Sequence, residues 1–276
     1  MSTLGTLGLH LDGRPCRVGC SFCYLGARGG ADGDDLSSTI GSVGDIAAAV
    51  VARAPASGIA VAVSEPASRW RPALAAVKDA AAARGLPVAI TTTAAVLAKD
   101  PWVVAGCRTL NLSIDPVKGT VDVAALSRVL SRARGQFPDI GLEIVGLVSL
   151  VSPAFADRLA GGLLGELVAM PALSFVGLNG LKPPPAWCDR AFWLRFLSRV
   201  RPLLDRHLHR RLHLDCYVSA RILGFGACPK KPDVSGREFR ACVYQARPDF
   251  VFADAADLAA RTADYVAPPV CPFPVV

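Results

Sequence analysis

Three cysteines close to the N-terminus have the types and spacing to hold a metal cluster. Cys16, Cys20 and Cys23 lie in the segment Cys-Arg-Val-Gly-Cys-Ser-Phe-Cys, with three residues between the first pair and two between the second. This spacing brings three thiolates together from one loop, and cysteine thiolates are the usual ligands of iron–sulfur clusters. Three thiolates can hold three corners of a [4Fe-4S] cubane. The sequence therefore predicts a cluster with one iron open to another ligand.

A structural zinc site is the alternative for the same loop. Zinc in such a site takes four ligands, so it would need one more Cys or His at matched spacing. His10 is close in sequence but falls on the strand predicted before the loop, and no later pair of cysteines has short spacing. The spacing therefore favours the iron–sulfur cluster.

The loop resembles the signature of the radical S-adenosylmethionine (SAM) superfamily, a Cys-x3-Cys-x-aromatic-Cys segment after the first strand of a partial six-unit barrel. Phe22 occupies the aromatic position. The resemblance implies that the open iron chelates SAM and that an electron from the cluster splits SAM into methionine and a 5′-deoxyadenosyl radical. It implies further that this radical takes a hydrogen atom from an organic substrate, with flavodoxin or ferredoxin as the kind of reductant expected. The cofactor would carry this chemistry, and the protein would position it.

Four residues at the ends of predicted strands or within one match, in part, the SAM-contacting positions of that superfamily. Glu65 matches the carboxylate of a Gly-Gly-Glu segment that receives the SAM amino group, although the two residues before it are not glycines. Ser113 and Asp115 stand where polar side chains contact the ribose or the carboxylate of SAM. Gly146 lies in the segment whose backbone binds adenine. The ordinary alternatives are a solvated turn at Glu65 and a simple chain reversal at Asp115.

Cysteines are also dense in the last part of the chain. They are Cys216, Cys228, Cys242 and Cys271. Some radical SAM proteins carry an auxiliary iron–sulfur cluster in such an extension, so these four are candidate ligands. Cys228 and Cys271 are also candidate catalytic residues, as donors of a hydrogen atom or as sites of a covalent intermediate. Burial without any chemical role is the alternative for all four, and it is what we expect for the isolated Cys107 and Cys188.

Repeating strand–helix units must position these residues. Short runs rich in Val, Ile, Leu and Thr alternate with stretches of helical spacing, a pattern typical of a parallel sheet. The predicted strands are Leu7–Leu11, Ile59–Val63, Val88–Thr92, Thr109–Ile114, Leu142–Val148 and Leu173–Leu178. The fold class is therefore α/β. Periodicity alone allows a TIM-like barrel or an open doubly wound sheet, and the resemblance favours a partial (β/α)6 barrel with a C-terminal Cys-rich extension.

Prolines and capping residues suggest where the elements begin and end. Three consecutive prolines after the sixth strand suggest a barrel core over residues 1–182 and, over 183–276, a helix and an extension that closes the barrel. Pro202 is expected to divide that helix. Ser68 and Thr120 are the expected N-terminal caps of two earlier helices, and Gly85 is the residue expected to close the first of them.

The composition bears on location and partners. The longest apolar stretches are interrupted well short of the roughly 20 residues that span a bilayer. We therefore expect no membrane segment, and nothing at the N-terminus indicates a secretion signal. The expected location is the cytoplasm, where thiols stay reduced. The formal charge of +7 and the seven arginines between residues 189 and 213 would suit a nucleic acid, but their spacing favours the solvated face of an amphipathic helix.

Two classes of function follow from these patterns. The favoured one is a radical SAM enzyme that acts on an organic substrate, with small-molecule biosynthesis expected before modification of peptides or RNA. The other is a non-enzymatic iron–sulfur or zinc protein for electron transfer or structure. Formation of 5′-deoxyadenosine from SAM distinguishes the two classes.

Overall fold

A computed structural model gives the architecture of most of the 276-residue chain. It describes residues 5–10, 36–63, 70–114, 121–136, 143–180, 189–208, 210–224, 232–235, 237–242, 245, 247–263 and 265. Every structural statement below concerns these residues.

Ten strands in these ranges form a single sheet. In chain order they are β1 (Thr6–His10), β2 (Gly58–Val63), β3 (Val88–Thr93), β4 (Thr109–Ile114), β5 (Ile144–Leu150), β6 (Phe175–Asn179), β7 (Leu212–Leu214), β8 (Asp233–Ser235), β9 (Glu238–Arg240) and β10 (Phe250–Val251). The strand order is β10-β9-β8-β1-β2-β3-β4-β5-β6-β7. Neighbouring strands from β8 to β7 are all parallel, whereas β9 and β10 pair antiparallel. All six predicted strands are confirmed, with ends that differ by at most two residues.

The strand order decides between the two architectures that the sequence left open. A doubly wound sheet reverses its order at a switch point and carries helices on both faces. Here β1 to β7 are neighbours in the order of the chain, without reversal. Because crossovers between parallel strands are right-handed, such an order places every connecting helix on the same face. The sheet is wound in one direction, as in a TIM-like barrel.

The helices alternate with these strands. They are α1 (Leu36–Arg53), α2 (Arg71–Ala83), α3 (Ala94–Lys99), α4 (Val123–Gln136), α5 (Pro153–Arg158), α6 (Leu164–Ala169), α7 (Arg190–Arg199), α8 (Arg201–His207) and α9 (Ala255–Ala263). A 3-10 turn, Pro101–Val104, follows α3, and π-helical turns occupy Leu159–Leu163 and Tyr217–Ile222. None of the described helices is both long and apolar enough to cross a membrane.

The helix ends agree only in part with the capping signals. Gly85 closes α2 at φ +62°, and Leu86 N–H donates to Ala81 O at 2.9 Å while Gly85 N–H donates to Ala82 O at 3.0 Å. These two bonds form a Schellman motif, so the prediction for Gly85 is confirmed.

Both predicted N-terminal caps are wrong. α2 begins at Arg71, not after Ser68, because Pro72 fits only in the first turn of a helix. For α4 the carboxylate of Asp122, rather than Thr120, accepts the backbone N–H groups of Ala124 and Ala125 at 2.8 and 3.0 Å. The prediction for Pro202 is confirmed, because α7 ends before it and α8 begins with it in the first turn.

The helices cover one face of the sheet. Fully buried strand side chains alternate along each strand and join the helices in one apolar cluster. Burying one such side chain contributes roughly 1.5–3 kcal/mol. The strand members of this cluster include Leu7, Leu9, Ile59, Val61, Ile90, Leu110, Leu112, Val145, Leu147, Val176 and Leu178.

The last part of the chain extends the same sheet at both of its ends. β7 pairs with β6, whereas β8 crosses to the other end and pairs parallel with β1. The stacked rings of Phe239 and Phe250, with centroids 4.8 Å apart, lie beside Tyr265. Burial raises the pKa of Tyr265 above its usual value. Residues 183–276 thus contribute strands to the sheet of the barrel core, and a boundary between domains at 182 stays a prediction.

Candidate functional site

The face of the sheet opposite the helices carries small and polar residues, and we call it the open face. Successive side chains of a strand point to opposite faces, so these residues alternate with those of the apolar cluster. The open face is formed by Gly8, Ala60, Ala62, Ala89, Thr91, Asn111, Ser113, Gly146, Val148, Phe175, Gly177 and Asn179, and most of them are partly exposed. The interior of a solid barrel is filled by bulky branched side chains. The small residues here leave room for a bound molecule.

The strand register aligns four residues of neighbouring strands on the open face, and two of them are polar. Thr91, Asn111, Gly146 and Phe175 are aligned across β3, β4, β5 and β6. Asn111 has a buried side-chain oxygen, Oδ1, with no hydrogen-bond partner among the described residues. A buried acceptor left unsatisfied costs about 1–3 kcal/mol. Asn111 is therefore suited to accept a hydrogen bond from an N–H or O–H group of a ligand.

Two predicted cofactor-binding residues lie on the open face. Ser113 is near the carboxyl end of β4 and aligned with Thr93 of β3, whose hydroxyl accepts the N–H of Val96 at the start of α3. Gly146 lies beneath the ring of Phe175, because a Cβ atom at position 146 would overlap that ring. The glycine is thus required for the ring to lie across β5. Their predicted contacts with SAM stay predictions.

An aromatic pair lies beside Asn111 on this face. The ring of Phe175 meets the ring of His213 edge to face, with centroids 5.1 Å apart and planes at 63°. Aromatic rings offer flat apolar surface with a preference for offset or edge contacts. The pair can pack against a planar ring next to the unpaired oxygen of Asn111.

Charged residues occupy the end of the open face formed by the C-terminal strands. Gly8 is aligned with Asp233 and Asp233 with Arg240, so these two side chains share the face of Gly8. The approach of β8 is close: a Cβ at Gly8 would lie 3.1 Å from Asp233 Oδ1. Glu238, two residues before Arg240, forms an ion pair with it. The open face is therefore neutral and polar in its middle and charged at this end.

The backbone beyond β6 and β7 is held by Asp215. Its Oδ1 accepts the N–H of Val218 at 2.8 Å and its Oδ2 accepts the N–H of Gly180 at 3.2 Å. This carboxylate ties the end of β6 to the π-helical turn that follows Cys216. Cys216, one of the candidate auxiliary ligands, is partly buried there.

The other described cysteines are buried. Cys242 follows β9 with 4% of its surface exposed, and Cys107 precedes β4 with 1% exposed. Burial raises the pKa of Cys107 to about 11, and metal ligands and nucleophiles need the thiolate. The prediction that Cys107 is a buried thiol is confirmed. No group of three or more His, Cys, Asp or Glu in the described ranges is placed to hold a metal ion.

Most of the predicted site lies outside the described residues. This holds for the cluster loop with Cys16, Cys20, Cys23 and Phe22, for Glu65 and Asp115 at strand ends, and for Cys188, Cys228 and Cys271. Sequence reasoning missed Asn111 and Arg240. The sequence could have indicated Asn111, since it is a polar residue between Leu110 and Leu112 in a strand of alternating pattern. It could not have indicated Arg240, because the burial of this side chain depends on pairing with strands distant in sequence.

The fold is shared with a known structure. The crystal structure of Streptococcus suis SuiB bound to S-adenosylmethionine matches with a TM-score of 0.56 and 12% sequence identity. The match covers 94% of this chain and 63% of the SuiB chain, so this chain spans less than two thirds of that protein. An α-L-fucosidase, AlfC, matches with a TM-score of 0.34 and 8% identity over 82% of this chain and 89% of its own, and is too distant to inform the fold. No protein-family model matches the sequence, and no curated protein is similar enough to be a relative.

Proposed function

We propose that this chain is a radical SAM enzyme with a partial (β/α)6 barrel, and that it binds SAM on the open face and acts on an organic substrate. The observation that carries the proposal is the spacing of Cys16, Cys20 and Cys23, which follow β1 in the sequence, together with the small and polar residues on the open face of the described sheet. The fold shared with SuiB, a protein described as bound to SAM, supports it. Small molecules remain the favoured substrates, before peptides and RNA.

The residues of the open face fit a nucleoside-type ligand. When bound, the cluster and SAM would supply reductive cleavage of a carbon–sulfur bond to give a 5′-deoxyadenosyl radical. The three cysteines of the loop would hold the cluster. Asn111 would accept a hydrogen bond from SAM, and Phe175 with His213 would pack against a flat ring. The neighbouring Gly and Ala residues leave the space that a bulky barrel interior would fill.

The roles of the other predicted residues are proposals of the same kind. Glu65 would receive the SAM amino group, and Ser113, Asp115 and Gly146 would bind its ribose, carboxylate or adenine. Phe22 would support the cluster loop. Cys228 and Cys271 are the candidates for a catalytic thiol near the substrate.

A reducing compartment and a reductant follow from the same proposal. The cluster needs one-electron reduction, so we expect flavodoxin or ferredoxin as partner and the cytoplasm as location.

Anaerobic reconstitution with iron and sulfide, followed by dithionite and SAM, tests the proposal. Formation of 5′-deoxyadenosine, measured by liquid chromatography, is expected for the unaltered chain. Replacing any one of Cys16, Cys20 and Cys23 by Ala should lower it by more than about 100-fold, because two thiolates cannot hold the cubane. Cys107→Ala is the matched control, since this buried thiol lies before β4 at the opposite edge of the sheet, and it should retain activity within about twofold.

Two results would contradict the proposal. If SAM is still cleaved after all three cysteines are replaced, they are not the ligands of the catalytic cluster. A reconstituted [4Fe-4S] protein that never cleaves SAM would instead support the non-enzymatic electron-transfer class.

A further inference from the structure

Arg240 is buried with unused hydrogen-bond donors. Its side chain is 2% exposed, and among the described residues it forms an ion pair from Nη2 to Glu238 Oε2. Nε and Nη1 are both buried and have no hydrogen-bond partner among the described residues. A guanidinium group carries five N–H donors in a fixed plane. Most of the hydrogen-bonding capacity of Arg240 is therefore unsatisfied.

The side chain points to the open face. Asp233 is aligned with Arg240 across β8 and β9, and with Gly8 across β8 and β1. Aligned residues of neighbouring strands carry their side chains on the same face. Phe239, the residue before Arg240, is on the opposite face in the apolar cluster. The guanidinium thus lies at the charged end of the surface proposed to bind SAM and substrate.

The described residues next to it on the open face are small. On the open face, Gly8 of β1 is aligned with Ala60 of β2, and Ala60 is aligned with Ala89 of β3. Both alanines are partly exposed. Neither side chain extends beyond a methyl group, so none can reach across to fill the unused donors. A bound molecule lying over these alanines could do so.

The energetic argument favours a ligand over a purely structural role. Burying a charged group with incomplete hydrogen bonding is costly, and an apolar side chain of the same length is often neutral or stabilising at such a position. Glu238 satisfies one nitrogen only, and its own side chain is 43% exposed. The fold gains little from Arg240 unless something else occupies Nε and Nη1.

We propose that Arg240 binds a carboxylate group of the organic substrate. Guanidinium and carboxylate match in planar geometry, and the hydrogen bonds between them are strengthened by charge. A single negative charge suits this position better than the double charge of a phosphate, because Asp233 and Glu238 are already close to Arg240. This inference names a substrate class for the open face and so depends on the proposed function.

Acetate is the probe for the carboxylate site. The melting temperature of the 276-residue chain is followed against sodium acetate, with sodium chloride and sodium phosphate at equal ionic strength as the other arms. A saturable rise with acetate, larger than with either other salt, is expected because a ligand of the native state stabilises it by mass action. No acetate-specific rise, or a larger rise with phosphate, would overturn the proposal.

Variants separate binding from a structural role. Arg240→Met should lower the acetate response at least about fivefold and leave the urea midpoint unchanged or higher, because it removes an incompletely paired buried charge. A lower midpoint with an unchanged acetate response would identify Arg240 as structural. Arg240→Lys keeps the charge but not the planar donor set, so its response should also fall about fivefold. Arg261→Met is the control, because Arg261 is exposed and paired with Asp257 on α9, and it should respond like the unaltered chain.

SAM also carries a carboxylate, so its own binding must be measured. The dissociation constant of SAM for reconstituted Arg240→Met should stay within about twofold of the unaltered chain. A loss of about tenfold or more would assign Arg240 to SAM and overturn its assignment to the substrate. The acetate experiment needs neither reductant nor SAM cleavage, so its failure and a failure of the proposed function are distinguishable.

Discussion

Two buried side-chain oxygens without partners lie on opposite faces of the sheet. Asn111 Oδ1 is on the open face, whereas Ser149 Oγ is on the helix-covered face, since Ser149 is aligned with Leu178 of the apolar cluster. Both lack a hydrogen-bond partner among the described residues. Only the first can be reached by a ligand of the open face. Variants of Asn111 and Ser149 can therefore distinguish an oxygen that binds a ligand from one that is merely buried without a partner.

Asn111→Leu is expected to weaken SAM binding by about tenfold, because a lost hydrogen bond in a closed site is worth about 1–2 kcal/mol. The stability of the ligand-free chain should not fall, since the variant removes an unsatisfied acceptor. Isothermal titration of reconstituted protein with SAM measures the first effect and urea unfolding the second.

Ser149→Ala provides the contrast. It should raise the free energy of unfolding by about 1 kcal/mol, because it also removes an unsatisfied buried oxygen, and should leave SAM affinity within about twofold. If Asn111→Leu and Ser149→Ala affect SAM binding equally, Asn111 is not a ligand contact.

How far the site could be predicted depended on how local its signals are. Ser113 and Gly146 were found because each lies within a recognisable strand, and the structure places both on the open face. Phe175 was not singled out, because its ring lies over Gly146 only through the pairing of β5 with β6. Arg240 was missed for the same reason, since nothing near it in sequence indicates that β9 joins a sheet begun at residue 6.

At the scale of elements, two glycines near helix ends differ in backbone conformation. Gly85 has φ +62° after α2, whereas Gly135 lies within α4, and neither would bring a Cβ within 4 Å of another group. Both positions therefore have room for a Cβ atom, and they differ only in backbone conformation.

Gly85→Ala should lower the free energy of unfolding by about 1 kcal/mol, because a Cβ is strained at positive φ. Gly135→Ala should raise it by about 0.5 kcal/mol through helix propensity and reduced freedom of the unfolded chain. Urea denaturation of both variants measures the difference. Equal changes in the two variants would show that the conformation of Gly85 does not matter.

The helix starts illustrate why boundaries are harder to predict than elements. Ser68 and Thr120 have capping side chains, but Pro72 and Asp122 offered stronger local alternatives, a fixed φ in one helix and a carboxylate acceptor in the other. Strands were easier, because a buried face imposes strict alternation on residues such as Leu110 and Leu112.

At the scale of the whole molecule, the placement of the described cysteines bears on the number of clusters. Cys216 follows β7 and Cys242 follows β9, and neither belongs to a group of three or more His, Cys, Asp or Glu among the described residues that could hold a metal ion. Cys242 is also almost fully buried. These positions favour a single cluster in the N-terminal loop over a second one in the extension.

Reconstituted protein is therefore expected to contain about four iron and four sulfide per chain. The double variant Cys216→Ala, Cys242→Ala should give the same content. Iron and acid-labile sulfide assays measure both. About eight iron per chain, reduced to four in the double variant, would establish the auxiliary cluster.

The pairing of β1 with β8 links two segments made at very different times. Gly8 is aligned with Asp233, about 225 residues later in the chain. During synthesis the first strand leaves the ribosome with one side of its backbone unpaired, and that edge stays exposed until β8 has been translated. Contacts of such long sequence separation slow folding, and unpaired edges favour aggregation. The side of β1 that pairs with β8 would therefore be completed only after β2 to β7 have been made.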